Sequence, residues 1–369
     1  MASRDDFEIC IICALPLEAN AALSLFEDSK GGDSLGKAAG DTNAYSVGKI
    51  GDHDVVLVYM PGMGKVPAAA VAVNLKQSFK NIKLALLVGI CGGVPGKTAE
   101  GVMLGDIIVG KQIVHYDFGR EYENGFVMKG APEDALGRQG PEIRGFIRKL
   151  ESGQEALSGK LSDYLAAMIR PWSPEKTSNL KDILYPSDYW HVHQNQSACE
   201  EGRCANGRDL CEKALKASCE DLGCDPTESE RPPELTRRPT PKIFFGPVAS
   251  GDKVMRSASL RDKIARREEV IAFDMEAAGV WDYLPSILIK GVCDYSDSHK
   301  NKDWQEYAAF AAAAFTKAIL EQWTSSKSKS DKEAETAKPR GGVQFNNNNS
   351  KVMNQAQTMT FNGNNTFSF

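Results

Sequence analysis

Residues 7–15 read FEICIICAL, a short apolar run that passes directly into Pro16-Leu17-Glu18. The run has the length and composition of a strand, and Glu18 falls where the next helix begins, a position favourable for a carboxylate and facing the strand-end cleft. The same unit recurs along the chain. DVVLVYM, LALLVGI, DIIVG and PSILIKGV alternate with helical patterns, and the series closes on the long AAFAAAAFTKAILEQW. That alternation predicts an α/β fold, a three-layer sandwich around a mostly parallel mixed sheet, over residues 7–323. Four strands end in polar or Gly-rich turns: Ala14 to Glu18, Pro61 to Lys65, Gly89 to Gly93 and Val292 to Asp297. Ligands of open α/β sheets bind beyond the carboxyl ends of strands, so these turns are where chemistry is expected.

The chain has 369 residues, 42% of them apolar, and a formal net charge of -5, enough for a large core and without global attraction to nucleic acid or anionic lipid. The expectation is a cytoplasmic protein with neither a membrane segment nor a nucleic-acid partner, and with reduced thiols. Regularity weakens between Ser152 and Thr240, which reads as an insertion over the core. Its cysteines, Cys199, Cys204, Cys211, Cys219 and Cys224, follow His191 and His193 but lack the paired C-x-x-C spacing of zinc knuckles, so no metal is expected.

Residues 324–342 have the Ser, Lys, Glu and Ala content of a solvated linker, and 343–369 form an Asn/Gln-rich tail. Val343 to Asn349 returns, sixteen positions later, as Met359 to Asn365. Alternating apolar and asparagine residues with almost no charge suit cross-β stacking between copies, with a disordered tail as the alternative.

Farther along, Ala249-Ser250-Gly251-Asp252 precedes Phe273-Asp274-Met275-Glu276-Ala277-Ala278-Gly279, and Gly291-Val292-Cys293-Asp294 ends another apolar run. Each piece alone is weak. In the joint order Glu18, Gly-rich turn, SGD, MEAAG, CD, the chain resembles the purine and uridine phosphorylase superfamily, which includes the methylthioadenosine nucleosidases. It is most similar to nucleosidase-type domains of fungal NOD-like receptors, through residues 43–51, Tyr116-Asp117-Phe118-Gly119 and residues 294–301.

The resemblance implies cleavage of the N-glycosidic bond of a purine nucleoside or nucleotide without a cofactor. Asp294 matches the acid that protonates N7 of the leaving base, and Glu18 the glutamate that orients the attacking water. Glu276 matches the acceptor of the ribose hydroxyls and Met275 the thioether beneath the sugar. Ile90, Cys91 and Gly92 on one side, with Val254 and Met255 on the other, match the base pocket; Val254 stands where an aromatic residue is usual. Phosphorylases of this superfamily usually carry a Gly-Asp-Pro-x-Arg type loop after the first strand, and here Leu15-Pro16-Leu17-Glu18 replaces it, which favours water as nucleophile.

Lys65, His115, Arg120, Arg231, Arg237 and Arg238 are the candidates for binding substrate phosphates, with ATP the favoured substrate. A homo-oligomer is expected, and the tail implies a NOD-like receptor with a matching amyloid motif as partner, in immunity or programmed cell death. Two alternatives are a phosphate-dependent phosphorylase and a non-catalytic module acting through tail assembly.

Overall fold

The computed structural model describes residues 3–324 except 28–29, 32–34, 97–99, 200, 203, 205–209 and 232–237. The linker beyond Thr324 and the repeat-bearing tail lie outside the described residues.

Ile9–Cys13 form β1, buried at all five positions. Successive side chains of a strand point to opposite faces. Here Ile9, Ile11 and Cys13 enter one apolar core and Cys10 and Ile12 the other. The chain then turns into α1 (Pro16–Leu23), where proline at the first helical position loses no hydrogen bond that the helix would use. β2 (Lys30–Gly31), β3 (Ala44–Ile50) and β4 (His53–Tyr59) follow, and α2 (Lys65–Ser78) leads into β5 (Leu84–Gly93). β6 (Ile107–His115) precedes a hairpin of β7 (Gly119–Tyr122) and β8 (Gly125–Met128), then helices α3 (Pro141–Ser152) and α4 (Gln154–Ile169). After the short helices α5 (Pro174–Ser178) and α6 (Cys219–Leu222) come β9 (Ile243–Ser250), α7 (Ala258–Glu268), β10 (Ala272–Asp274), α8 (Ala277–Val280), β11 (Ser286–Asp294) and α9 (Gln305–Leu320).

Nine strands make one mixed sheet in the order β10-β9-β6-β11-β5-β1-β4-β3-β2. Five of its pairings are parallel and four antiparallel. An additional β10–β5 pairing closes β5, β10, β9, β6 and β11 into a ring. The three-layer α/β expectation holds: α1, α3, α4 and α9 contribute to the core on one face, and α2 and α8 to that on the other. The alanines of α9 let it approach the sheet so closely that a Cβ at Gly291 of β11 would meet the Ala308 carbonyl oxygen at 2.0 Å.

The proposed insertion differs from the expectation at its start. Gln154–Ile169 is a regular helix whose Leu157, Leu161 and Leu165 belong to the main core, so the irregular region begins only after it. The four-residue periodicity of those leucines is the helical signal that the surrounding polar residues mask. The described residues contain no helix long and apolar enough to cross a membrane and no disulfide.

Candidate active site

The carboxyl end of β5 is the floor of the site. Glu18, in the first turn of α1, is buried and turns its carboxylate onto that strand. Its Oε2 accepts hydrogen bonds from the backbone N–H groups of Ala14 and Leu15, both at 2.9 Å, and its Oε1 accepts from Ile90 at 2.8 Å. Room for this exists because residue 89 is glycine: a Cβ there would lie 2.1 Å from Oε1. Burial pushes the Glu18 carboxyl above the ordinary carboxylate range, while Lys290 and the backbone donors oppose that shift.

Lys290 is the charge that sequence reasoning missed. It lies in the middle of β11, only 2% exposed, with Nζ 3.3 Å from Glu276 Oε2 and 3.9 Å from Asp274 Oδ2. Burial works against its charge, yet Glu276, Glu18 and Asp274 together hold its pKa above the usual lysine value. Asp274 is pushed up to about 6 by burial, with Lys290 opposing and Glu276 adding to the shift. Three carboxylates therefore surround one ammonium. The signal for Lys290 was a lone lysine within the apolar run PSILIKGV.

Asp294 ends β11 beside the same strand. Pairing runs Val292 to Cys91 and then Asp294 to Gly92, so Cys293 is an extra residue, and a bulge of this kind re-aims the side chain that follows. Asp294 Oδ1 accepts from the Ser296 N–H at 2.9 Å and Oδ2 lies 2.7 Å from Lys300 Nζ. The turn is tight: Ser296 adopts φ 54°, the left-handed region that non-glycine residues rarely occupy. A Cβ at Gly92 would lie 2.0 Å from Ser296 Oγ and 2.8 Å from Asp294 Oδ1, so glycine is what allows this approach.

Of the residues singled out from the sequence, Glu18, Ile90, Cys91, Gly92, Glu276 and Asp294 are linked through β5 and Lys290. Met275 is half-buried at the junction of β10 and α8. Val254 and Met255 part company: Val254 is 48% exposed, whereas Met255 packs in a core cluster with Tyr116 and Phe273.

The basic candidates divide more sharply. Lys65 and His115 do meet, with Nζ 2.6 Å from Nε2, but Lys65 also lies 2.6 Å from Asp117 Oδ1 and 3.5 Å from Asp252 Oδ2. Burial and then Lys65 hold His115 below its usual pKa. Partial burial favours the neutral form of Asp117, but Lys65 brings its pKa below the usual value. His115 is in register with Ser250, whose Oγ accepts from Ala278 N at 3.0 Å in the helix after Glu276, so this cluster adjoins the carboxylate group. Arg120 is exposed on the β7–β8 hairpin.

Arg238 must be removed from the phosphate-binding candidates. It is buried, paired with Asp106 and hydrogen-bonded to the Gly101 carbonyl at 2.6 Å, locking the approach to β6. Arg231 is likewise buried against Asp182, Tyr295 and the carbonyls of Gly96 and Val102. Arg237 lies outside the described residues. The fold also bears on the cysteines and histidines for which no metal was expected. The fold brings His191, Cys219, Cys224 and His299 into one cluster and His193, Cys199, Cys204 and Cys211 into another, each with its potential ligand atoms within 4.8 Å of one another. Linear spacing could not show the first of these, because His299 arrives from the loop after Asp294.

Comparison with known proteins agrees with the geometry. Residues 8–167 match the model of the phosphorylase superfamily. A nucleotide-binding leucine-rich repeat (NLR)-like protein of Hyaloscypha variabilis is 30% identical over 326 residues, covering 86% of this chain and 29% of that protein. A protein named ATP nucleosidase Cap17 from Escherichia coli is 23% identical over 323 residues, covering 85% of this chain and 51% of its own length. This chain thus spans about half or less of these relatives. The solved S-adenosylhomocysteine nucleosidase of Streptococcus pyogenes shares the fold, with a TM-score of 0.52 at 17% identity over 88% of this chain and 99% of that one.

Proposed function

From a chain whose residues 8–167 match the phosphorylase superfamily, we infer an enzyme that hydrolyses the N-glycosidic bond of adenine nucleotides or nucleosides. The observation that carries this reading is the pair of buried carboxylates, Glu18 and Asp294, each seated against a glycine of β5. Breaking the bond between a ribose and a purine sends the electron pair to the base and leaves positive charge on the sugar. Two duties follow: a proton must reach the base, and a water must be activated at the anomeric carbon.

Asp294 is assigned the first duty, delivering a proton to N7 of the departing adenine. Glu18 is assigned the second, taking a proton from the attacking water as it adds to the anomeric carbon. Glu276, at the start of α8, accepts hydrogen bonds from the ribose hydroxyls, with Met275 beside the sugar. The carboxylates gathered around Lys290 give the site an excess of negative charge at low polarity, which favours a sugar with cationic character over its neutral ground state. Ile90, Cys91 and Gly92 line the side of the base.

ATP is the proposed preferred substrate, and the similarity to a protein named an ATP nucleosidase supports it. Lys65 and the exposed Arg120 are the described cations for its phosphates, with the His115 imidazole beside Lys65 as a hydrogen-bonding group; Asp117 and Asp252 must yield Lys65 for it to serve. An immune or cell-death role in the cytoplasm, with an NLR as partner through the tail, is supported by the similarity to an NLR-like protein.

The test is to incubate the purified chain with adenosine, AMP, ADP, ATP, GTP and methylthioadenosine, with and without inorganic phosphate, and to identify bases and sugars by chromatography. Free adenine with ribose 5-triphosphate, independent of phosphate, is the expected result. A requirement for phosphate would make the enzyme a phosphorylase, and no base release from any substrate would leave an assembly module.

A further inference from the structure

The segment between α5 and β9 has little with which to hold itself together. Its described residues contain no strand, and its longest helix is the four-residue α6. Its own buried apolar cluster consists of Tyr185, Val192, Ala214, Leu222 and four cysteines. So small a core does not order a segment of this length through apolar burial alone, and natural folds in that position use disulfides or metal. None of its described cysteines forms a disulfide.

We propose that this segment is stapled by two zinc ions and that one of them fastens it to the loop carrying Asp294. The first site is His193, Cys199, Cys204 and Cys211, all four buried; the second is His191, Cys219, Cys224 and His299. In the first, His193 Nδ1 lies 3.5 Å from both Cys204 Sγ and Cys211 Sγ. In the second, Cys219 Sγ lies 3.5 Å from the Nδ1 atoms of both His191 and His299, and Cys224 Sγ lies 3.8 Å from His191 Nδ1. A tetrahedral zinc with Zn–S of about 2.3 Å and Zn–N of about 2.0 Å spaces its nitrogen and sulfur ligands by roughly 3.5 Å.

Hydrogen bonding between neutral groups accounts for these contacts less well. One Nδ1 has a single lone pair, and in the first site two thiols converge on it. In the second, the opposite ring nitrogens are already engaged: His191 Nε2 lies 3.0 Å from the Ala217 carbonyl oxygen and His299 Nε2 lies 3.0 Å from that of Tyr189. An N–H donated to a carbonyl fixes the tautomer that leaves Nδ1 free to bind metal, the usual outer support of a zinc histidine. Mixed thiolate and imidazole ligands in tetrahedral array select zinc.

The second site has a further consequence. His299 belongs to the loop that follows Asp294, and its neighbour Lys300 is the residue that holds Asp294 Oδ2 at 2.7 Å. Ser298 Oγ accepts from the His191 N–H at 3.2 Å, and the His299 ring stacks on Tyr185 at 4.0 Å between centroids. Zinc there would make His299 a positioning residue for the acid. This part rests on the assignment of Asp294 under the proposed function; the metal sites do not.

The full chain, prepared without chelator in zinc-containing medium, is analysed for metal by elemental analysis and then exchanged with cobalt. Two zinc ions per chain and the visible absorption of tetrahedral cobalt-thiolate are expected. Cys204→Ser and Cys224→Ser should each lose one ion. His299→Ala should lose the second-site ion and His299→Cys should retain both. Titration of the unmutated chain with an organomercurial, with a zinc-responsive dye reporting release, gives the count even if a variant fails to fold. Fewer than two zinc ions per chain, or no cobalt-thiolate absorption, overturns the proposal.

For positioning, Cys224→Ser and His299→Ala should lower kcat by roughly tenfold or more with KM little changed. Cys204→Ser should lower it less, and His299→Cys should restore it. Equal effects at both sites overturn the link to Asp294 while the metal count stands. Two bound zinc ions in a chain that releases no base would refute the nucleosidase reading instead.

Discussion

A Cβ on Gly89 would lie 2.1 Å from Oε1 of Glu18, so the backbone of β5 and the proposed water-activating carboxylate occupy one shared space. No rotamer of an added methyl group avoids that contact. Gly89→Ala should therefore displace Glu18 from its three backbone donors and reduce turnover nearly as far as removing the carboxylate. Overpacking of this kind costs about 1–3 kcal/mol of stability. Kinetics together with thermal melting tests this, and an active Gly89→Ala enzyme would show that Glu18 works from another position.

Glu18→Gln and Asp294→Asn should each lower turnover by roughly 100-fold to 10,000-fold, the range typical of general acid and base groups. Both replacements keep the size of the side chain, so circular dichroism should change little, while melting temperature falls modestly because the new NH2 group faces a donor where a carboxylate oxygen accepted. Losses below about tenfold in both would remove the assignment.

Lys290→Met should be among the most damaging single changes. It leaves Glu18, Asp274 and Glu276 buried without their common cation, and breaking a buried ion pair from one side costs about 3–5 kcal/mol. Denaturant unfolding measures the loss. The deficit should shrink as pH falls, because protonated carboxyl groups no longer need the ammonium.

Asp274 gives a signed pH test. Its pKa is pushed up to about 6 in the fold, against about 3.9 in an unfolded chain. The folded state thus holds this proton more tightly. The contribution of the group to stability is fully present below about pH 4, declines as pH rises through 6, and is flat above. Asp274→Asn lacks that decline, so its melting temperature relative to the unaltered chain should be more favourable at pH 7 than at pH 4. A difference that is constant, or that runs the other way, contradicts the burial of an ionising group there.

Much of the architecture was legible because each strand announced itself by an apolar run and a polar or glycine-rich end. Glu18, Glu276 and Asp294 were legible for a related reason: each stands at such an end, within a motif whose order along the chain is distinctive. Lys290 was not, since its meaning depends on carboxylates contributed by α1 and by the β10–α8 junction, which meet only in the folded sheet. Arg238 misled because a basic cluster beside a strand looks the same in sequence whether it faces ligand or fills a buried salt bridge with Asp106. The cysteine spacing hid the cluster of His191, Cys219, Cys224 and His299 because its last member comes from a loop far along the chain. Leu157, Leu161 and Leu165 show the opposite error, a regular helix overlooked among polar neighbours.

The closed ring of β5, β10, β9, β6 and β11 bears on self-assembly. Strand addition needs a row of unpaired backbone groups, and closure gives β10 a neighbour on each side. The opposite margin ends in β2, two residues long and paired only to Ser46 and Val47 of β3, on a strand that also carries Lys49. The closed side of the main sheet thus offers no free strand edge, leaving the outer part of β3 and the short β7–β8 hairpin, and assembly is expected to draw on the tail. A chain ended after Thr324 should stay monodisperse when challenged with fibrils of a peptide covering residues 341–369, while the full chain is recruited into them; light scattering and sedimentation distinguish the two. Recruitment of the shortened chain would place the adhesive surface in the folded domain. A folded body whose main sheet is closed along one side can be carried on a polymer at high local density without that sheet being unravelled into it.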